Sequence, residues 1–221
     1  MKISEHLYIY LWSNPRDNNC NTVVIDGKVP LLVDPGLNKY VSPLFQRMKQ
    51  DGFDSNNLKL VICTHGHPDH LEGALGIKSA SVKMAMSQEE ERYILDAGAK
   101  WYASHGNKMP DFSIDFYLKD GNLILGKHEF EIIMTPGHSP GGISIYWPKF
   151  KTLFTGDTVF MKSVGRVDLP GGNPKLLKRS VEELSKLKVE LLIPGHGPAV
   201  QGASNVKANF DFIKKMLANV H

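Results

Sequence analysis

Cysteine is scarce: Cys20 and Cys63 are the two in 221 residues. That excludes the disulfide-dense scaffolds of small secreted domains. Cys20 falls in a polar turn region and Cys63 at the end of an apolar run, where it reads as a small core residue. A bond between them is not demanded, and two lone thiols suit a reducing cytoplasm, the expected location. Long apolar runs are also missing. None approaches the roughly 18 residues that span a bilayer, and the N-terminal Met1-Lys2-Ile3-Ser4-Glu5-His6 lacks the apolar core of a signal peptide. No membrane partner is expected. Charge of one sign is not concentrated either. The net charge is +3 and the basic pairs, such as Lys178-Arg179 and Lys214-Lys215, are scattered, which argues against a nucleic-acid surface. There is no low-complexity segment, linker or short repeat. With 42% hydrophobic residues, residues 1–221 are expected to form one domain with a substantial core.

What the chain has is a dense group of metal donors. Thr64-His65-Gly66-His67-Pro68-Asp69-His70 follows the apolar run Leu58-Lys59-Leu60-Val61-Ile62-Cys63. The run reads as a buried strand, and Gly66 and Pro68 break it, placing the donors on a tight loop at its carboxyl end. Neutral imidazoles and a carboxylate suit zinc, iron or manganese. A polar turn with accidental histidines is the competing reading, and the density of donors opposes it.

The remaining pattern alternates strands and helices. Strands are expected over Ile3–Leu11, Asn21–Asp26, Pro30–Val33, Val82–Met86, Phe116–Leu118, Leu123–Leu125, Phe130–Met134, Ile143–Trp147, Thr152–Phe154 and Leu191–Ile193. Helical spacing covers Tyr40–Gln50, a short Leu71–Ile77 and Ser204–Ala218. Ser87-Gln88-Glu89-Glu90 reads as a capping box for a helix to about Ala97, and Asn173-Pro174 starts another that runs through Leu187. Runs of strands followed by helices suggest two sheets face to face with helices outside. The second half, about 114–221, repeats the first, about 1–113, in kind. Gly98–Phe112 has weak periodicity, and is either a substrate lid or irregular aromatic packing. Asp34, before Pro35-Gly36, either caps its turn or supports the metal loop.

Three more donors follow apolar strands beside glycine: His138 in Pro136-Gly137-His138, Asp157 in Gly156-Asp157, and His196 in Pro194-Gly195-His196-Gly197. Ligands at strand ends are held more rigidly than ligands in mid-loop. Together with Val33-Asp34-Pro35-Gly36 and the His65–His70 motif, in this order, they resemble the metallo-β-lactamase superfamily over nearly the whole chain. The resemblance implies an α/β fold, a four-layer αββα sandwich. It implies that His65, His67 and His138 bind one metal, that Asp69, His70 and His196 bind a second, and that Asp157 bridges them. Two divalent cations are therefore expected, zinc before iron or manganese. They would activate a water, with Asp69 accepting a hydrogen bond from the nucleophile.

The branch is narrowed by Gly156 to Gly172. An aspartate at 157 differs from the cysteine or serine usual in metallo-β-lactamases proper. Gly165-Arg166 after Gly156-Asp157 resembles the glyoxalase II (hydroxyacylglutathione hydrolase) and persulfide dioxygenase group. In that group the basic residue lies near the thiol cofactor's carboxylates, so Arg166 is a candidate substrate anchor; an ion pair with Asp168 is the alternative. Glyoxalase II proper carries a helical C-terminal domain for which residues 197–221 give room for one helix. The resemblance thus points to compact glyoxalase II-like hydrolases acting on a small thioester or other acyl substrate. A mononuclear iron persulfide dioxygenase is the alternative, followed by a lactonase or a nucleic-acid processing hydrolase. A homo-oligomer is compatible with the sequence.

Overall fold

The computed structural model describes residues 1–14, 16–100 and 112–218. Strands β1 (Leu7–Tyr10), β2 (Thr22–Ile25), β3 (Leu31–Val33), β4 (Leu60–Ile62), β5 (Lys83–Ser87) and β6 (Phe116–Leu118) form the first sheet in that spatial order. β1, β2 and β3 are antiparallel neighbours, whereas β3 to β6 run parallel. Helix α1 (Val41–Gln50) makes the β3-to-β4 crossover and α2 (Pro68–Ile77) the β4-to-β5 crossover. After β5 comes the short α3 (Gln88–Tyr93), continued by a π-helical turn, Ile94–Gly98. The second sheet is built from β7 (Gly121–Leu125), β8 (His128–Met134), β9 (Ile143–Trp147), β10 (Thr152–Gly156), β13 (Leu191–Pro194) and β14 (Val200–Gln201). A hairpin of β11 (Val159–Phe160) and β12 (Ser163–Val164) stands apart, and α4 (Pro174–Leu184) and α5 (Ala203–Met216) complete the chain.

Alternation along the strands sorts their side chains into layers. In β4, Leu60 and Ile62 enter the cluster between the sheets, where they meet Phe130, Ile145, Trp147 and Phe154 of the second sheet. Val61 points the other way, onto Leu44, Met48, Leu71 and Ala74 of α1 and α2. On the far side, Leu153 and Leu192 pack under Val181, Leu184, Phe210 and Ile213 of α4 and α5. The result is the expected αββα sandwich. A strand covered on both faces must be apolar throughout, which is why β2, β3 and β4 read as continuous hydrophobic runs. Each fully buried aliphatic side chain contributes about 1.5–3 kcal/mol.

Several boundaries differ from the sequence reading. The helix expected from Leu71 starts at Pro68, because proline at the first helical position has no amide to leave unpaired. β6 pairs with β5 and so completes the first sheet. The two-residue strands β11, β12 and β14 are too short to carry an alternation signal. Of the proposed lid over Gly98–Phe112, residues 101–111 lie outside the described residues. Cys20 and Cys63 are both free and buried, and among the described residues no helix is long and apolar enough to cross a membrane.

Candidate metal centre

The carboxyl ends of β4, β8, β10 and β13 open onto one edge of the sandwich, and each delivers a donor there. His65 follows β4, His138 follows β8, Asp157 follows β10 and His196 follows β13. β10 and β13 are parallel neighbours with Gly156 opposite Pro194, which sets Asp157 beside His196. Asp69 and His70 are carried by the first turn of α2, not by a loop, and an acidic side chain there is favoured by the helix dipole. The two sheets are tied together at this edge. Asn21 on the first sheet donates to the carbonyls of Pro194 (2.9 Å) and Gly197 (2.8 Å), and the Ile143 amide donates to the Thr64 carbonyl at 2.9 Å.

Seven side chains converge. His67 Nδ1 lies 3.0 Å from His65 Nε2 and 2.8 Å from His138 Nε2. His196 Nε2 lies 3.4 Å from His70 Nε2 and 3.2 Å from Asp69 Oδ2. Asp157 faces both groups: Oδ1 is 3.3 Å from His70 Nε2, and Oδ2 is 3.5 Å from His138 Nε2 and 3.4 Å from His196 Nε2. Thus His65, His67 and His138 form one set able to hold a cation, Asp69, His70 and His196 another, and Asp157 lies within reach of His65 and His70 in a third.

The proton inventory shows whether these sets fit metals. A carbonyl only accepts, so Nδ1 of His138 donates to the Arg166 carbonyl at 2.7 Å and its Nε2 keeps a lone pair. Nδ1 of His70 donates to Asp34 Oδ2 at 2.9 Å. The Thr64 hydroxyl also donates to Asp34 Oδ2, at 2.7 Å, which leaves it to accept from His65 Nδ1 at 3.2 Å. One buried carboxylate therefore orients two histidines, and the Nε2 atoms of His65, His70 and His138 turn into the same small space, where neutral imidazoles would offer their lone pairs to a cation. Ligands about 2.0–2.1 Å from a tetrahedral zinc stand about 3.3–3.4 Å apart, close to the separations here. The residues fit the group, and Asp34 supports the loop rather than only capping its turn.

Charge is divided across the site. Burial, then the neighbouring imidazoles, keep His65 neutral and push His67 down to about 4. Burial also opposes charge on His70, but Asp34 and Asp157 outweigh it and raise its pKa well above the usual value. His196 behaves alike: burial is overcome by Asp157 and Asp69, and its pKa rises to about 9. Burial disfavours ionised Asp157, yet the histidine charges around it hold its carboxyl well below the usual range. Gly195 is required by this crowding. A Cβ there would lie 2.2 Å from Asp157 Oδ1 and 2.8 Å from His70 Cε1.

His67, Asp69, His138, Asp157 and His196 line a cavity of about 590 Å³ whose walls include Tyr93, Ile94, Phe160, Val164 and Leu169, with His65 and His70 buried behind them. Arg166 lines it too, but its guanidinium forms a two-pronged pair with Asp168 (2.8 and 2.6 Å), with 61% of the side chain exposed. The local pair foreseen as an alternative is thus present. Sequence reading missed Asn18, which donates to Asp69 Oδ2 at 2.8 Å, and Glu90, which bonds the metal loop. Asn18 lies in a turn-rich stretch with no linear pattern to mark it.

Known proteins resemble this chain over most of its length. The chain is 32% identical over 189 residues to the hydroxyacylglutathione hydrolase of Haemophilus influenzae, covering 81% of this chain and 85% of the relative. It is 32% identical over 183 residues to a protein of Methanocaldococcus jannaschii described as a "probable metallo-hydrolase", covering 80% and 87%. A solved structure described as TTHA1623 in a di-iron-bound form superposes with a TM-score of 0.71 at 27% identity, covering 86% of this chain and 93% of that one. The model of the metallo-β-lactamase superfamily matches residues 15–196. With that match spanning every one of the seven converging side chains, the chain belongs to the metallo-β-lactamase superfamily.

Proposed function

We propose that this protein is a hydrolase that holds two divalent cations and cleaves a thioester or related small acyl substrate. The observation that carries the reading is the convergence of two complete donor sets, with Asp157 facing both, and members of each set opening onto one cavity. His65, His67 and His138 would hold one ion; Asp69, His70 and His196 would hold the other. When bound, such ions supply a water acidified toward neutral pH and a Lewis acid for the substrate carbonyl. The 32% identity to a hydroxyacylglutathione hydrolase supports a thioester as the bond cleaved, and zinc, iron and manganese all suit the donors.

The chain's own residues orient the reaction. Asn18 and His196 engage Asp69 Oδ2, which leaves Oδ1 to accept a hydrogen bond from the attacking water. The new bond joins water oxygen to the carbonyl carbon, the carbon–sulfur bond breaks, and the proton taken by Asp69 passes to the departing sulfur. Ile94, Phe160, Val164 and Leu169 shield the acyl group from water. Arg166 meets the carrier's carboxylate at the rim by exchanging Asp168 for it. An exposed ion pair contributes only about 0–1 kcal/mol, so the exchange costs little.

The test joins elemental analysis of protein purified without added metal to an assay of free thiol released from a hydroxyacylglutathione thioester. About two metals per chain and thiol release are expected. His67→Ala should abolish turnover while the circular dichroism spectrum stays that of the parent, because His67 is half-buried and outside the three apolar clusters. About one iron per chain, with oxygen consumed on glutathione persulfide, would replace the hydrolase by a dioxygenase.

A further inference from the structure

The capping box at the start of α3 is only half made, and the missing half has gone elsewhere. The Ser87 hydroxyl accepts from the Glu90 amide at 3.1 Å as such a box requires. The Glu90 side chain does not return to Ser87. It is fully buried, with Oε1 accepting from the Gly66 amide at 2.9 Å and Oε2 from the Gly141 amide at 2.8 Å. Gly66 lies between the donors His65 and His67; Gly141 lies three residues beyond His138. One carboxylate thus binds the two loops that carry the three-histidine set, one from each half of the sandwich. The packing leaves no slack: a Cβ on Gly141 would lie 2.2 Å from the Glu90 amide nitrogen. Ser87 reinforces the same junction by donating to the Gly141 carbonyl at 2.5 Å.

A buried carboxylate without a cationic partner is costly to keep ionised, and among the described residues no lysine or arginine pairs with Glu90. A cation bound at the adjacent His65–His67–His138 set would compensate that charge. We propose that Glu90 is a positioning residue for the His65–His67–His138 set: it fixes the distance between the two loops and lends negative charge beside the first metal. The second set is governed differently, by Asp34 on His70 and Asn18 on Asp69. Glu90 therefore acts on one metal-binding step and not on the other. This rests on the two-metal reading above.

The experiment measures both metal affinities of the full chain by competition with a chromophoric chelator, using zinc. His67→Ala and His196→Ala identify the first and second steps by abolishing each. Glu90→Gln keeps the size of the side chain but loses the charge and sets an amide against one of the two N–H groups. Its first-step affinity should fall by about tenfold or more, with the second step within about threefold of the parent. Met84→Ala, a buried change on β5 that touches neither Glu90 nor a donor through any hydrogen bond, should lower the melting temperature while leaving both affinities in place. If Glu90→Gln fails to fold, Ser87→Ala weakens the same junction and should show a smaller loss confined to the first step. Equal losses at both steps, or none, would overturn the assignment. Absence of thioester hydrolysis alongside a selective first-step loss would sink the proposed substrate and leave the role of Glu90 standing.

Discussion

Asp34 shows how much of a metal centre can depend on a residue that touches no metal. It sits at φ 52, a left-handed conformation that aspartate tolerates better than most residues. Its oxygens accept from the Thr64 amide (2.7 Å), the Thr64 hydroxyl and His70 Nδ1, and this over-determination holds the backbone there. Asp34→Asn keeps the shape but turns one oxygen into a donor, so either His70 or Thr64 loses its acceptor, and His70 can present a proton rather than a lone pair to the site. A loss of about 10- to 100-fold in metal affinity or turnover is expected, checked by chelator competition and the thiol-release assay; affinity equal to the parent's would refute the tautomer argument. At this scale the sequence was legible where residue type alone names the chemistry. The seven donors stood out because imidazoles and carboxylates after apolar strands have few other uses in such density. Asn18, Glu90 and the Arg166 carbonyl were not legible, because each acts through a partner 24 to 51 positions away, and nothing local marks which asparagine or glutamate will be recruited.

Elements carry the donors to one place, and the ends of elements matter most. β4, β8, β10 and β13 stop at the same edge, and three of the stops are glycine turns. Gly195 is the tightest of these, lying against Asp157 Oδ1 and His70 Cε1. Gly195→Ala should displace both side chains while leaving β13 paired with β10, since Leu191–Ile193 form the register above it. Metal affinity should fall on the order of tenfold with the melting temperature of the metal-free protein little changed; unaltered affinity would show that the site yields to a methyl group. The strands were readable because burial on both faces makes them apolar, and α4 was readable from Asn173, whose side chain accepts from the Lys175 and Leu176 amides. The start of α2 at Pro68, three residues before the expected Leu71, is masked by the donors, because His67-Pro68-Asp69-His70 reads first as a metal loop. Proline at the first helical position and an acid in the first turn are also helix-start signals, and the same four residues serve both purposes.

At the scale of the whole molecule, folding of the metal-free chain must assemble like charges and neutral imidazoles that water would keep apart, and this makes stability depend on pH in both directions. His196 has its pKa raised from 6.5 to about 9 in the folded state. The folded chain then binds more protons than the unfolded one between those values, so stability is full below about 6.5 and is lost as pH rises toward 9. His70, also raised, acts in the same direction. His67, lowered to about 4, and His65, lowered too, act oppositely. Between about 6.5 and 4 the unfolded chain takes up protons that the folded chain refuses, so stability falls as pH falls through that window. Below it the depressed carboxyls of Asp69 and Asp157 add to the loss as they are protonated. The melting temperature of chelator-treated protein should therefore peak near pH 6.5. Metal ions replace the protons on His70 and His196 and compete better as pH rises, so the loaded protein should keep its stability on the alkaline side. At a free metal concentration 100 times the dissociation constant, one site adds about 2.7 kcal/mol, or about 5–10 °C for a chain of this length. Scanning calorimetry from pH 4 to 9, with chelator and with zinc, measures both curves. A metal-free melting temperature that keeps rising from pH 6.5 to 9 would mean that the histidine charges are not held by Asp34, Asp69 and Asp157 as the geometry requires.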